Sequence, residues 1–193
     1  MWRYSFSNGI VSVYLLFSFV SAPVLLADQH VSPATSPSPN TPSAEDWLAT
    51  LGSVLGPTLT TAIRQGRDYA YPRGQAIPES IQRTLAPFFS RELLQKVRYS
   101  TEWQDATAES ALYSLLLGTG AEAVTLVDVI IFRDAQYAAD PILWAHELTH
   151  VEQYNRLGLA AFAKQYLQQG WLMEQEAWEK ARKIQRQLAL KGR

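Results

Sequence analysis

The chain has 193 residues, 47% of them hydrophobic and 11% aromatic, which is the length of one ordinary domain with enough apolar mass for a core. A formal net charge of −1 supplies no basic field for sequence-independent binding to a phosphate backbone, so no nucleic-acid partner is expected. With no cysteine, the chain has no disulfides, no thiolate ligands and no cysteine nucleophile.

Arg3, an apolar run from Ile10 to Val20 and the small residues after it have the form of a secretory signal, placed over residues 1–27. The alternative is an uncleaved N-terminal anchor, and that segment is the one expected membrane contact. In either case the rest of the chain is expected to be exported, periplasmic or secreted. Residues 28–43 hold the stretch "SPATSPSPNTPS", whose prolines forbid a helix and whose short polar side chains offer nothing to bury, so they read as a tether. The folded domain is expected over 44–193.

Ser43 and Asp46 have the spacing of a helix capping box, and helical periodicity follows to about Gln65 with interruptions expected at Gly52 and Gly56. Two short helices are expected on either side of Pro87, the second capped by Ser90, and then a short strand from Val97 to Thr101. A helix is expected over 108–117. The β-branched run Ala123 to Phe132 reads as one strand. Asp140 and Pro141 supply an N-cap and a first-turn proline for a helix that Gly158 closes after Leu157. Two more helices, Leu159 to Gln168 and Trp171 to about Leu190, are separated at Gly170. Mostly helix with little strand is an α+β pattern.

The helix over 141–157 contains "WAHELTHVEQ", with His146, Glu147 and His150 in the order H-E-x-x-H. Positions four apart lie one turn up on the same helix face, so both imidazoles can reach one ion. The apolar row Trp144, Leu148 and Val151 lies about 160° of helical rotation from either histidine, so the histidines face something other than the main core. An open zinc site takes three protein ligands, and without cysteine the third should be a carboxylate. The residues at 153 and 156 are Gln153 and Arg156, which excludes the metzincin continuation. In the last helix, Glu174 falls in line with Ala177, Ala181, Ile184 and Leu188, whereas Glu176 and Glu179 fall with the basic residues of the wet face. A carboxylate on an apolar face is costly unless paired or metal-bound, so Glu174 is the third ligand, with pairing to Arg98 or Arg133 as the alternative. Imidazole with carboxylate suits zinc best.

Together "VRYSTEW", "AEAVTLVDVIIFRDAQYAADPILWAHELTHVEQY" and "MEQEAW" resemble an HExxH peptidase domain associated with bacterial contractile injection systems, a family similar to small gluzincins, over roughly residues 78 to 180. The resemblance implies a small zincin-like domain, its short β-sheet or hairpin packed on the H-E-x-x-H helix. Its implied ligands are His146, His150 and Glu174, with Glu147 as the catalytic carboxylate. One position departs from the gluzincin pattern, because Trp178 stands where an aspartate commonly orients a ligand histidine. The expected activity is hydrolysis of a peptide or protein substrate, laid as an added strand beside Ile130 to Phe132, with Tyr137 or Tyr154 as a donor to the oxyanion. The competing expectation is a catalytically silent, metal-stabilised binding or structural module at the cell surface.

Overall fold

A computed structural model of the chain describes residues 43–103 and 121–191. The expected signal or anchor, the tether up to residue 42 and the helix expected over 108–117 lie outside the described residues. Among the described residues, no helix is long and apolar enough to cross a membrane.

Helix α1, Ala44–Ala70, opens on the expected capping box, with Ser43 Oγ accepting from the Asp46 amide and Asp46 Oδ2 from the Ser43 amide. It runs unbroken through Gly52, Gly56 and Pro57, so the interruptions expected at the glycines do not occur. Tertiary packing overrides local propensity here. A Cβ at Gly52 would lie 2.6 Å from the Gln168 side chain, so the missing side chain lets α1 pack closely on the last helix. Next come β1 (Gln75–Ala76), α2 (Glu79–Leu85), α3 (Arg91–Lys96) with Ser90 as its cap, and β2 (Arg98–Ser100).

The run Ala123 to Phe132 is a hairpin and not one strand. β3 (Ala123–Leu126) pairs antiparallel with β4 (Val129–Phe132), and Val127 and Asp128 form the turn between the closing pair Leu126 and Val129. Two-residue hairpin turns favour glycine or asparagine where φ is positive, and Val127 stands there at φ 61°. What fixes the turn is Asp128, whose buried carboxylate takes Arg67 Nε and Nη2 at 2.8 and 3.1 Å, with Lys96 Nζ at 3.7 Å. Arg67→Leu should therefore destabilise the fold by about 3 kcal/mol, the cost of stranding a buried charge with one weaker partner. A lower urea midpoint at unchanged slope checks this.

The sheet runs β1-β2-β4-β3, with β4 parallel to β2. β4 is buried on both faces, which explains its unbroken apolar sequence. Ile130 and Phe132 join a cluster with Leu85, Val97, Trp144 and Leu148, while Val129 and Ile131 join a second with Leu59, Ile63, Phe162 and Met173. Period-two alternation thus splits the core into two halves across one strand.

Helix α4, Pro141–Leu157, begins at Asp140, whose side chain accepts from the Ile142 amide, and ends at Gly158 with φ 77°. Helix α5, Leu159–Lys191, carries one break at Gln169 (φ −146°, ψ 33°), one residue before the expected separation at Gly170. α5 packs along both α1 and α4. The architecture is α+β, mostly helical, with its small sheet against α4.

Candidate metal centre

Helix α4 is buried on two sides. Trp144, Leu148 and Val151 enter the first core cluster, and the opposite side, with His146 and His150, meets α5, where Glu174 projects between the two rings. Nε2 of His146 and Nε2 of His150 are 3.1 Å apart, and the Glu174 carboxylate lies 3.3 Å from the first and 3.4 Å from the second. A tetrahedral ion with bonds of ~2.0–2.1 Å sets its ligand atoms roughly 3.3–3.4 Å apart, so the three donors already stand at a spacing that could hold one metal ion. Among the described residues the donor group has three members, and zinc held by three protein ligands would keep a fourth position open. The alternative pairing for Glu174 is not made: Arg98 donates to the carbonyls of Gln95 and Val97, and Arg133 lies over the Trp103 ring.

Electrostatics bind the same three groups together. Burial works against the His150 imidazolium, yet the Glu174 charge beside it raises the His150 pKa from 6.5 to about 9. Burial likewise works against the Glu174 carboxylate, which His150 and His146 nevertheless hold far below the ordinary carboxylate range. The two shifts describe one pairing and are counted once. Because the His150 pKa is raised, its contribution to stability is complete below the unfolded value of 6.5 and is lost as pH rises through about 9. Glu174 sets the acid side, where the contribution is present above its ordinary 4.5 and lost as pH falls. With metal stripped by chelator, the melting temperature should fall by roughly 5 °C or more as pH rises from about 7 to about 9, since the pairing is on the order of 3 kcal/mol. An unchanged melting temperature over that interval in a calorimetric scan would contradict the pairing.

Glu147 lies against the ligands, with Oε1 4.0 Å from His146 Nε2. Its other oxygen, Oε2, accepts from Thr125 Oγ1 on β3 at 2.6 Å, which fixes the carboxylate against the sheet. Tyr166 donates its hydroxyl to Glu174 Oε1 at 3.1 Å. Burial, and then the Glu174 charge, push the Tyr166 phenol well above its ordinary value, so it remains a donor. Thr125 and Tyr166 are absent from the expectations drawn from sequence. Tyr166 lies eight residues before Glu174 across the break at Gln169, so no helical phase relates the two.

The tyrosines singled out from sequence sit elsewhere. Tyr154 is buried, stacked on Phe162 at 3.6 Å between centroids, and gives its hydroxyl to the Thr125 carbonyl. Tyr137 packs beside the first core cluster. The strand expected to receive substrate is also corrected. Ile130 to Phe132 pair with β3 on one side, and Ile130 and Ile131 with β2 on the other, so Ile130 and Ile131 have no free edge to offer. Among the described strands, β3 lies at the end of the sheet beside the site.

Glu176 lies on the exposed face, as expected, but it is bonded there. Its carboxylate accepts from both terminal nitrogens of Arg156, at 2.8 and 2.9 Å, and from Gln153 Nε2 at 3.0 Å, while Gln153 reaches His150 Nδ1 at 2.8 Å. Glu179 is exposed and bonds Gln175 within its own helix. Trp178 lays its ring over His146, centroids 4.2 Å apart and tilted 41°, where an aspartate was missing from the sequence pattern. His146 Nδ1 is buried and, among the described residues, without a hydrogen-bond partner. The two histidines are therefore supported differently, one by an amide and one by an aromatic ring.

The family model described as the eCIS core domain matches residues 76–158, from β1 to the glycine that ends α4. This links that stretch, with His146, Glu147, His150, Thr125 and Gln153, to extracellular contractile injection systems. The match stops before α5, so the placement of Glu174 and Tyr166 rests on geometry. No curated protein and no solved structure matches the chain.

Proposed function

We propose that the chain is an exported zinc metallopeptidase associated with extracellular contractile injection systems. The observation that carries this reading is the spacing of His146, His150 and Glu174 around one point, with Glu147 held immediately beside them. Zinc at that point supplies the Lewis acidity that makes water a nucleophile at neutral pH and polarises a peptide carbonyl. The chain's own residues divide the remaining work. Glu147 takes the proton from the attacking water at Oε1, the oxygen Thr125 leaves free, and returns it to the departing amine. The Tyr166 hydroxyl, at the edge of the donor cluster, exchanges its bond with Glu174 for one to the developing oxyanion. An extended substrate peptide is accommodated along β3 in a strand-addition mode, its main chain bonding to the strand. Export is supported by the N-terminal apolar run alone.

One observation favours a second reading. His146, Glu147 and His150 are all buried, and Trp178 stands over His146, as suits an ion that ties α4 to α5 without turning over a substrate. Digestion of a random peptide library by the full-length chain separates the two. The peptidase reading expects new termini that appear with zinc and disappear with chelator, and it expects Tyr166→Phe to lower kcat by ~10²-fold with zinc retained. Stoichiometric zinc with no cleavage of any peptide would favour the metal-stabilised module.

A further inference from the structure

Gln153 is fully buried, and each of its amide atoms meets a group whose role is fixed by chemistry. Nε2 lies 3.0 Å from the Met173 carbonyl and 3.0 Å from Glu176 Oε2, and both of these oxygens can only accept. The NH2 end of the amide therefore points at α5, and Oε1 points at His150 Nδ1, 2.8 Å away. A carbonyl oxygen accepts and cannot donate, so His150 Nδ1 must carry a proton. The lone pair of the neutral ring is then on Nε2, the atom that faces His146 and Glu174.

From this we infer that Gln153 is a positioning residue that holds His150 in the tautomer that presents an unprotonated Nε2 to an ion at this site, and that Glu176 and Arg156 hold Gln153. The inference rests on the metal reading of the site and adds to it a relay running outward from the centre. The Arg156 guanidinium grips both oxygens of Glu176, the carboxylate receives one N–H of Gln153, and the amide carbonyl receives the N–H of His150. Two of these links cross from α4 to α5, so the relay also sets the distance between the helices that carry the ligands. Ligand histidines are generally oriented in this way, and loss of the outer partner costs ~10–100-fold in metal affinity. His146, whose Nδ1 has no such partner among the described residues, packs instead against the Trp178 ring.

The test uses the full-length chain loaded with zinc and labelled with 15N. Ring nitrogen-to-proton correlations should show His150 protonated at Nδ1 and ligated through Nε2. Gln153→Met, close in volume and without a carbonyl acceptor, should keep the fold by circular dichroism, lose the fixed His150 pattern and bind zinc ~10–100-fold more weakly in chelator competition. Should Gln153→Met fail to fold, Glu176→Leu removes one acceptor of the Gln153 amide from a half-exposed position, and the same spectral and affinity changes are expected in smaller degree. Zinc affinity within twofold of the unsubstituted chain in the variant that folds, or His150 ligating through Nδ1, would overturn the inference while leaving the metal centre standing. An unsubstituted chain that holds no zinc overturns the metal reading, and this inference with it.

Discussion

Replacing Glu147 by glutamine should leave zinc and fold in place while peptide hydrolysis falls by ~10²–10⁴-fold, the contribution of a positioned general base. The amide has the same shape and can still accept from Thr125 Oγ1, so the 2.6 Å contact that seats the side chain survives. What it cannot do is take a proton from water. Binding and chemistry separate because Glu147 is not one of the three clustered donors, His146, His150 and Glu174, its Oε1 standing 4.0 Å from His146 Nε2. Metal analysis and steady-state hydrolysis on the same preparation read both properties together. A variant that cleaves as fast as the unsubstituted chain would remove Glu147 from the mechanism.

Glu174→Gln should fail in the opposite order, losing the ion first. The substitution keeps a group that can accept from Tyr166 but removes the charge between the two histidine nitrogens, at 3.3 and 3.4 Å. Zinc retained after dialysis should drop from about one equivalent to near none, as it should in His146→Ala and His150→Ala. The stabilisation that zinc confers, about 3 kcal/mol at a hundredfold excess over its dissociation constant, should vanish with it. Glu179→Gln is the internal control on the same helix, since Glu179 is exposed and bonds only Gln175 among the described residues. Glu176→Gln is not neutral, because it weakens the Arg156 grip that supports Gln153 and His150. Full zinc occupancy in Glu174→Gln would displace the centre from these three residues.

The sequence by itself determined the features that short-range periodicity encodes. His146 and His150 share a face because they are four apart on a helix whose ends Asp140 and Gly158 mark, and Glu174 could be told from Glu176 and Glu179 by its phase with Ala177, Ala181 and Ile184. The tertiary structure alone decided what depends on contacts between distant elements. The apolar run at 123–132 became a hairpin because Arg67 and Lys96 capture Asp128 at a turn that its own residues do not favour. α1 passed through two glycines because α5 packs against them. Thr125 reached Glu147 across 22 residues, Tyr166 reached Glu174 across a helix break, and Glu176, exposed on its own helix, met Arg156 and Gln153 from another. A periodic pattern specifies which way a side chain points from its own helix axis, whereas the partner it meets is set by where another element packs.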